Sequence, residues 1–303
     1  MLGQAFRQEV LAVTARRDRD GGWGQPAAAL NEKNLLALMQ REIPAVHVRG
    51  FAAADECVQF TTALRLQASR AADTSPMQLV GSNFSNHHSD GKAVYFASVA
   101  DSEHGLAKLT NSSFDPVQRV IERLRGCWPN AVEIADEGTP YGRYFAGCVK
   151  TRVAGSAMHY DFVPDMFGTP SKEPDLAHTG QETLDQFGDY QIANIKAQIA
   201  WNLYLEMPHE TGETTVYDKQ VDPAHDLCAR APGARARWDN LVDPKCVEGS
   251  AAYTFKGLPG ELVLFNTRCP HVVTVEHSGE PAPRSQIGGF AGLTDNRDLV
   301  IWS

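Results

Sequence analysis

Two side chains in one short segment of the sequence could bind the same metal ion. The segment is 158–162 (MHYDF), in which one residue separates His159 from Asp161. Side chains two positions apart in extended backbone point to the same side, and a neutral imidazole with a carboxylate suits a divalent first-row metal. A second His-x-Asp, His88 with Asp90, lies in a turn-rich segment without an apolar strand before it. We interpret that copy as a surface or pocket-rim feature.

A third metal ligand and an anion-binding residue could follow farther along the chain. His271 comes after the apolar segment 261–266 (ELVLFN) and a short turn, which would place it at the mouth of a strand. A lone histidine there is more often a core residue bonded to a carbonyl, but the His159–Asp161 pair favours the metal interpretation. Arg284 could bind a carboxylate through two parallel hydrogen bonds. A buried arginine needs an anionic partner, and either a co-substrate carboxylate or an internal acidic residue would serve.

The elements that would position these residues change in character near residue 140. Before it, the periodicity of apolar residues predicts helices over 32–41, 54–70 and 115–126. After it, short apolar segments separated by glycine and proline predict strands. The strand candidates are 143–153, 192–207, 213–218, 251–255, 261–266, 271–276, 286–292 and 298–302. We predict a single domain over 1–303 that is mainly β with flanking helices, with a mainly helical support over 1–140 and the β core over 141–303.

Two insertions interrupt the strand pattern, near 167–190 and 219–250. Structureless connections of this length inside a compact domain are usually functional loops, although a solvated insertion without a role is the alternative for both. The first insertion directly follows the His159–Asp161 pair, so we predict that it closes over the site as a lid. No role is predicted for the second insertion.

Composition and charge exclude several classes of function. The chain has 303 residues and a formal net charge of −9, without a run of basic residues, which argues against a nucleic-acid partner. No segment has the apolar length that a membrane helix needs, and the N-terminus lacks a secretory segment, so we expect no membrane association and a cytoplasmic protein. The six cysteines, none at zinc-site spacing, are expected to be free thiols. The sequence predicts no oligomeric state.

The order of these motifs resembles the Fe(II)- and 2-oxoglutarate-dependent oxygenase superfamily. The core of that superfamily is a double-stranded β-helix, a jelly-roll, cupin-like fold. Within it, the segments 200–205 (AWNLYL), 262–265 (LVLF) and 268–273 (RCPHVV) resemble one subgroup, which contains carrier-independent amino-acid hydroxylases and the related aliphatic halogenases. The resemblance extends over roughly residues 140–295. It implies a jelly-roll core for this chain.

The resemblance also implies which residue would bind each ligand. The iron ligands would be His159, Asp161 and His271, forming a facial triad. Arg284 would pair with the distal carboxylate of the co-substrate 2-oxoglutarate, and O2 would be the second co-substrate. Trp201 or Asn202 would flank 2-oxoglutarate, depending on which face of their strand turns inward, with a core role as the alternative for Trp201.

One departure from the halogenases bears on the reaction. In those enzymes a small residue replaces the triad carboxylate and leaves a position for chloride, whereas Asp161 is present here. The resemblance therefore implies hydroxylation of an unactivated C–H bond of a small, amino-acid-derived molecule, with succinate and CO2 as co-products. Desaturation or ring formation on the same scaffold, a non-catalytic jelly-roll protein that binds metal or 2-oxoglutarate, a non-oxidative cupin-type enzyme and an oxygenase acting on a peptide stay open.

Several further residues could belong to a substrate pocket. A carboxylated substrate would need another cation, and the candidates, which the sequence does not rank, are Lys150, Arg152, Arg143 and Arg268. Relatives in the subgroup place part of their pocket near Asn83, Phe84 and His87, although a plain turn is an equal interpretation. Cys269 is expected to be a buried free thiol that is prone to oxidation if iron lies nearby.

Overall fold

The computed structural model describes most of the chain from Trp23 onward. The described residues are 23–68, 77–82, 84, 92–110, 114–152, 155–168, 190–208, 211–223, 225–228, 240–274 and 283–303. The α-helices in these ranges are α1 (Glu32–Met39), α2 (Ala54–Ala68), α3 (Lys92–Ala107), α4 (Pro116–Arg125) and α5 (Val163–Gly168). The strands are β1 (Ala45–Val48), β2 (Met77–Val80), β3 (Val132–Ile134), β4 (Cys148–Arg152), β5 (Ala197–Glu206), β6 (Glu213–Tyr217), β7 (Ala252–Phe255), β8 (Leu262–Asn266), β9 (His271–Thr274), β10 (Arg284–Leu293) and β11 (Leu299–Trp302).

Eight strands form one large sheet around β10. The sheet runs in the order β1-β8-β5-β10-β11-β3, and β2 pairs with β4, which itself pairs with β10. One edge of β10 is shared by two strands, because β4 pairs with Arg284 to Gly288 and β11 with Phe290 to Leu293. Every residue of β10 is buried. The sheet is therefore covered on both faces at its centre.

A smaller sheet of three strands, in the order β7-β6-β9, completes the core. From β5 to β10 the chain crosses repeatedly between the two sheets: β5, β8 and β10 lie in the large sheet, whereas β6, β7 and β9 lie in the small one. Repeated crossing between two sheets is the arrangement of a double-stranded β-helix. It confirms the prediction of a mainly β protein with flanking helices and a jelly-roll core.

The helices predicted from the sequence form close to the expected positions. In α4, the side chain of Asp115 accepts a hydrogen bond from the backbone N–H of Gln118, and Pro116 is the first helical residue, as expected at a helix start. The buried face of α1, which includes Leu35 and Leu38, packs against β5 and β8. None of the described helices combines the length and the apolar character needed to cross a membrane.

The region before residue 140 also contributes three strands that the sequence did not predict. β1 pairs with β8, β2 pairs with β4, and β3 lies parallel to β11. These strands have only three or four residues each, which is too short for an alternating pattern to be recognised. Helix α3 was not predicted either. Part of the large sheet therefore comes from the region expected to be a mainly helical support.

The two insertions lie only partly within the described residues. Of the first, the structure describes only 167, 168 and 190, so the predicted lid lies outside the described part of the chain. Of the second, residues 240–242 run beside the segment that contains His159 and Asp161. The backbone N–H of Tyr160 donates to the carbonyl of Asn240 (3.1 Å), and that of Val242 donates to the carbonyl of Met158 (3.0 Å).

Candidate metal centre

Three side chains that could bind a metal ion meet between the two sheets. The nearest ligand atoms of His159, Asp161 and His271 all lie within 4.8 Å of one another. Oδ2 of Asp161 is 3.9 Å from Nε2 of His159 and 3.6 Å from Nε2 of His271. The structure thus brings together the three residues that the sequence proposed. Two imidazoles and one carboxylate on one side of an ion are the ligand set of non-haem Fe(II) oxygenases.

Backbone pairing holds the two histidines at this spacing. The N–H of His159 donates to the carbonyl of His271 (2.9 Å), and the N–H of His271 donates back to the carbonyl of His159 (2.8 Å). The segment before Asp161 thereby extends the small sheet next to β9. Because the segment is extended, Asp161 lies on the same side as His159, and its carboxylate reaches both rings.

The orientation of each imidazole ring is fixed by a hydrogen bond to a nearby backbone carbonyl. Nδ1 of His159 lies 2.8 Å from the carbonyl oxygen of Ala157, and Nδ1 of His271 lies 3.0 Å from that of Cys269. A carbonyl can only accept, so Nδ1 carries the proton in both rings. The lone pair is then on Nε2, the atom that faces Asp161, and both rings are oriented for metal binding.

The carboxylate of Asp161 is positioned by residues from three other segments. Nδ2 of Asn240 donates to Oδ1 of Asp161 (2.8 Å), which leaves Oδ2 toward the histidines. The backbone N–H of Asp161 donates to the carbonyl of Thr267 (2.8 Å), and Nε2 of Gln198 donates to the carbonyl of Asp161 (2.6 Å). No sequence pattern indicated Asn240, because it belongs to an insertion without a recognisable motif.

Burial and charge set the protonation states of the cluster. Burial, reinforced by the neighbouring His271, lowers the pKa of His159 to about 4, so this ring is neutral at pH 7. Burial alone would raise the pKa of Asp161, but the neighbouring His271, His159 and Lys150 outweigh it and hold that pKa below its ordinary range. A neutral imidazole and an ionised carboxylate are the forms that bind a metal ion.

Arg284 lies at the start of β10, and its guanidinium lines the same cavity. The residue is only 2% exposed. Its Nη2 donates to the hydroxyl groups of Tyr204 (3.2 Å) and Thr214 (3.1 Å), and its Nε donates to the carbonyl of Gly212 (3.3 Å). No acidic side chain of the described residues forms an ion pair with it. A buried guanidinium beside two hydroxyl groups fits the carboxylate of a bound ligand.

Successive side chains of β5 point to opposite faces of the sheet, which separates the two residues expected to flank the co-substrate. Asn202 lines the cavity, and its Oδ1 accepts a hydrogen bond from Nε2 of Gln286 (2.8 Å). Trp201 is fully buried and does not line the cavity, because successive side chains of a strand point to opposite faces. The predicted co-substrate contact of Trp201 therefore does not fit this structure. Gly288 leaves room for Asn202, since a Cβ there would lie 2.5 Å from Oδ1.

The four basic candidates for a substrate pocket divide into two pairs. Lys150 and Arg152, both on β4, line the cavity. Arg143 is largely exposed and lies near Asp136 (4.0 Å), and it does not line the cavity. Nη2 of Arg268 lies 3.4 Å from Oδ1 of Asp165 on α5, and Arg268 does not line the cavity either.

The remaining candidates take no part in the cavity within the described residues. Phe84 is buried in an aromatic cluster with Tyr95 and Tyr190, at centroid distances of 5.3 and 5.0 Å. Cys269 is buried, and its carbonyl orients His271. Four further candidates lie outside the described part of the chain: Asn83, His87, His88 and Asp90.

The fold and the ligand set define a class of protein. A jelly-roll core with two histidines and one carboxylate between its sheets is typical of the Fe(II)- and 2-oxoglutarate-dependent oxygenase superfamily. The predicted cofactors of that class, Fe(II) and 2-oxoglutarate, fit the donor set and the buried Arg284. The family model described as "Carrier-protein-independent halogenase WelO5" matches residues 27–303. The chain belongs to this family.

Individual relatives agree with this assignment. L-gamma-glutamyl-L-propargylglycine hydroxylase of Streptantibioticus cattleyicolor is 27% identical over 191 residues, which cover 62% of this chain and 59% of the relative. That match therefore spans less than two thirds of the relative's length. Leucinostatins biosynthesis cluster protein S of Purpureocillium lilacinum is 24% identical over 241 residues, covering 75% and 86% of the two chains.

A solved structure with a similar fold supports the architecture. It is an N-substituted L-amino acid dioxygenase from Burkholderia ambifaria in complex with alpha-KG, and it aligns with a TM-score of 0.52 at 13% identity. The alignment covers 89% of this chain and 90% of that one. At this level of identity the likeness supports the fold alone.

Proposed function

We propose that this protein is an Fe(II)- and 2-oxoglutarate-dependent dioxygenase that hydroxylates an unactivated C–H bond of a small, amino-acid-derived molecule. Succinate and CO2 would be the co-products. The observation that carries the proposal is the buried cluster of His159, Asp161 and His271, in which both Nε2 atoms and one carboxylate oxygen converge. That arrangement provides three ligands on one side of an ion and leaves the opposite side to other molecules.

When bound, the metal ion and 2-oxoglutarate would supply the chemistry by which O2 oxidises the C–H bond of the substrate. The residues of this chain would bind and orient the reactants. The carboxylate of Asp161, held by Asn240, and the two imidazoles would hold the metal. Arg284 with its neighbouring hydroxyl groups would bind the distal carboxylate of 2-oxoglutarate. The buried cavity walls would exclude water from the reaction.

Hydroxylation is favoured over halogenation because of Asp161. Its carboxylate occupies the ligand position that would have to be vacant for chloride, and Asn240 holds it there. The name of one relative in sequence describes a hydroxylase of a glutamyl-propargylglycine. This name supports an amino-acid-derived substrate for this chain. Desaturation or cyclisation on the same scaffold would differ only in the product.

The proposal can be tested with protein purified without oxygen. Adding Fe(II) and 2-oxoglutarate should produce a visible charge-transfer absorption, and exposure to O2 should produce succinate with a panel of free and N-substituted amino acids. Product mass then separates outcomes: a gain of one oxygen indicates hydroxylation, and a loss of two hydrogens indicates desaturation or ring formation.

Variants provide the control for this test. Asp161→Ala and His271→Ala should both remove the absorption and the succinate, whereas Asn194→Ala, which changes an exposed residue outside the cavity, should retain both. Absorption without turnover of any compound would favour the non-catalytic alternative, a protein that binds 2-oxoglutarate. An absence of both signals from the wild type would contradict the proposal.

A further inference from the structure

Three cationic side chains line the cavity from two adjacent strands. The antiparallel register places Arg152 of β4 opposite Arg284 of β10, and Lys150 opposite Gln286. Like charges directly opposite each other destabilise a sheet. Within the described residues, no acidic side chain forms an ion pair with any of the three cations. The protein therefore keeps a cluster of positive charge that its own described side chains do not neutralise.

The charge of this cluster exceeds what the co-substrate can neutralise. Asp161 is the one acidic side chain in the described lining of the cavity, so the side chains of the lining carry a formal excess of two positive charges when Lys150 is protonated. A bound Fe(II) ion would raise the excess to four, and the two carboxylates of 2-oxoglutarate would return it to two. Buried charge without a partner is unfavourable, and a second anionic molecule would relieve it.

Lys150 lies at a different place in the cavity from the guanidinium assigned to 2-oxoglutarate. Arg284 sits at the first position of β10, next to Tyr204 and Thr214. Lys150 is opposite Gln286, two positions farther along β10. Residues two apart on a strand point to the same face and lie about 7 Å apart, so Arg284 and Lys150 enter the cavity from two different positions along the sheet.

The region around Lys150 contains a further unsatisfied polar group. Gln286 is only 7% exposed. Its Nε2 donates to Oδ1 of Asn202 (2.8 Å), but its Oε1 is buried and has no hydrogen-bond partner in the described part of the chain. A buried acceptor without a donor is destabilising, and such groups are usually satisfied by a ligand or water. The region thus offers one cation and one acceptor to a bound molecule.

The electrostatics of Lys150 agree with this geometry. Burial lowers the pKa of its ammonium group, since desolvation disfavours the charged form. An anion next to the ammonium group would reverse that effect. The nearby Asp161 attracts Lys150, but its two carboxylate oxygens face Asn240 and the histidines.

We propose that Lys150 binds a carboxylate of the primary substrate, so that the protein acts on free acids and not on the corresponding amides or esters. This inference rests on the proposed function, since it assumes that Arg284 and the metal take the two carboxylates of 2-oxoglutarate. Oε1 of Gln286 would accept a hydrogen bond from an N–H or O–H group of the same substrate. The substrate class is therefore a carboxylic acid with a donor group close to the carboxylate, as in an N-acyl amino acid.

The test compares Lys150→Met, which keeps the length of the side chain and removes its charge, with Lys150→Arg and Arg284→Met. The first measurement is the affinity for 2-oxoglutarate, from the anaerobic charge-transfer absorption. We expect less than a threefold change in Lys150→Met and a large loss in Arg284→Met. The second is the melting temperature of the metal-free protein, which should rise in Lys150→Met because one positive charge is removed from a partly buried cluster of like charges.

The third measurement uses pairs of probes that differ only at the carboxylate: a set of N-acetyl-L-amino acids and their carboxamides. Added to the anaerobic Fe(II)–2-oxoglutarate complex, an acid should shift the charge-transfer absorption and its amide should not. In Lys150→Met the concentration needed should rise roughly 10- to 100-fold, as for the loss of one charge-assisted hydrogen bond. Lys150→Arg should recover part of the affinity.

Three results would overturn the inference. One is that Lys150→Met weakens 2-oxoglutarate binding as strongly as Arg284→Met does, which would assign the lysine to the co-substrate. Another is that the amides bind as well as the acids, or that no acid shifts the absorption of the wild type. The last is a melting temperature several degrees lower in Lys150→Met, which would show a structural role. Failure of the proposed function is distinguishable, because the wild type would then show no charge-transfer absorption at all.

Discussion

The hydrogen bond from Asn240 to Asp161 gives the sharpest test of how the metal site is built. Nδ2 of Asn240 lies 2.8 Å from Oδ1 of Asp161, so Asn240→Ala leaves that oxygen without its partner. The backbone carbonyl of Asn240, which accepts from Tyr160, is retained in the variant. The substitution therefore removes one charge-assisted hydrogen bond and leaves the pairing of the two segments in place.

The size of the effect follows from the chemistry of that bond. A hydrogen bond to a charged group contributes about 1.5–3 kcal/mol, and the loss of a residue that orients a metal ligand typically lowers metal affinity roughly 10- to 100-fold. The two estimates agree, because about 1.4 kcal/mol corresponds to a tenfold change in a binding constant. We expect the dissociation constant for Fe(II) to rise by a factor in this range.

The assay is an anaerobic titration of the metal-free protein with Fe(II) at fixed 2-oxoglutarate, followed by the charge-transfer absorption. Asn240→Leu separates the hydrogen bond from the volume of the side chain and should behave like Asn240→Ala. Asn194→Ala serves as the matched control and should bind Fe(II) like the wild type. If Asn240→Ala binds Fe(II) within a factor of two of the wild type, then Asp161 does not depend on Asn240, and our account of the site is wrong.

Three further predictions concern other parts of the structure. Arg284→Met should raise the Michaelis constant for 2-oxoglutarate roughly 10- to 100-fold, measured by succinate formation, and an unchanged constant would exclude Arg284 as the anion-binding residue. Arg119→Met should lower the free energy of unfolding by about 1 kcal/mol, because two nitrogens of Arg119 donate to Glu56 at 2.8 and 2.6 Å. The hydrogen bond from Arg119 lowers the pKa of Glu56, so the part of the difference in unfolding free energy that comes from this pair should be full above the ordinary pKa of a glutamate and be lost as the pH falls through the lowered pKa. The contacts of Arg119 with the carbonyl of Phe51 and the ring of Phe114 do not depend on this titration, so a difference that does not shrink at all on acidification would refute the pairing. Gly288→Ala should destabilise the fold by roughly 1–3 kcal/mol, since the new Cβ would lie 2.5 Å from Oδ1 of Asn202, and an unchanged melting temperature would show that Asn202 moves aside freely.

The parts of the fold that the sequence predicted are those in which a local pattern reflects a local structure. The helix at Pro116–Arg125 was predicted from its proline at the start and the glycine after its end, and both take the expected positions. β8 was predicted because its apolar residues run without interruption, as in a strand buried on both faces. β1 and β3 were not, because their pairing depends on distant strands and leaves no signal within three or four residues.

The difference between local patterns and distant contacts also decides which residues of the candidate metal site could be predicted. Spacing alone placed His159 and Asp161 on one side of a strand, and the position of His271 after a buried strand suggested the third ligand. Spacing could not decide which face of β5 turns inward, so both Trp201 and Asn202 were candidates, with a core role as the favoured alternative for Trp201, and the structure places Asn202 in the cavity lining.

The contribution of Asn240 shows where prediction from sequence stops. It reaches Asp161 from 79 residues away in the chain, in an insertion for which no role was predicted. Its relevance depends on the antiparallel pairing of 240–242 with 158–160, and this pairing follows from the tertiary fold. The second insertion therefore supports the candidate metal site directly, since it supplies both a backbone partner for residues 158–160 and the side chain that orients the carboxylate of Asp161. A deletion within the described residues 240–242 should for that reason impair metal binding before it impairs folding of the large sheet, which does not include this segment. Comparing Fe(II) affinity with the circular-dichroism melting curve of such a deletion would test this order, and a joint loss of both signals would contradict it.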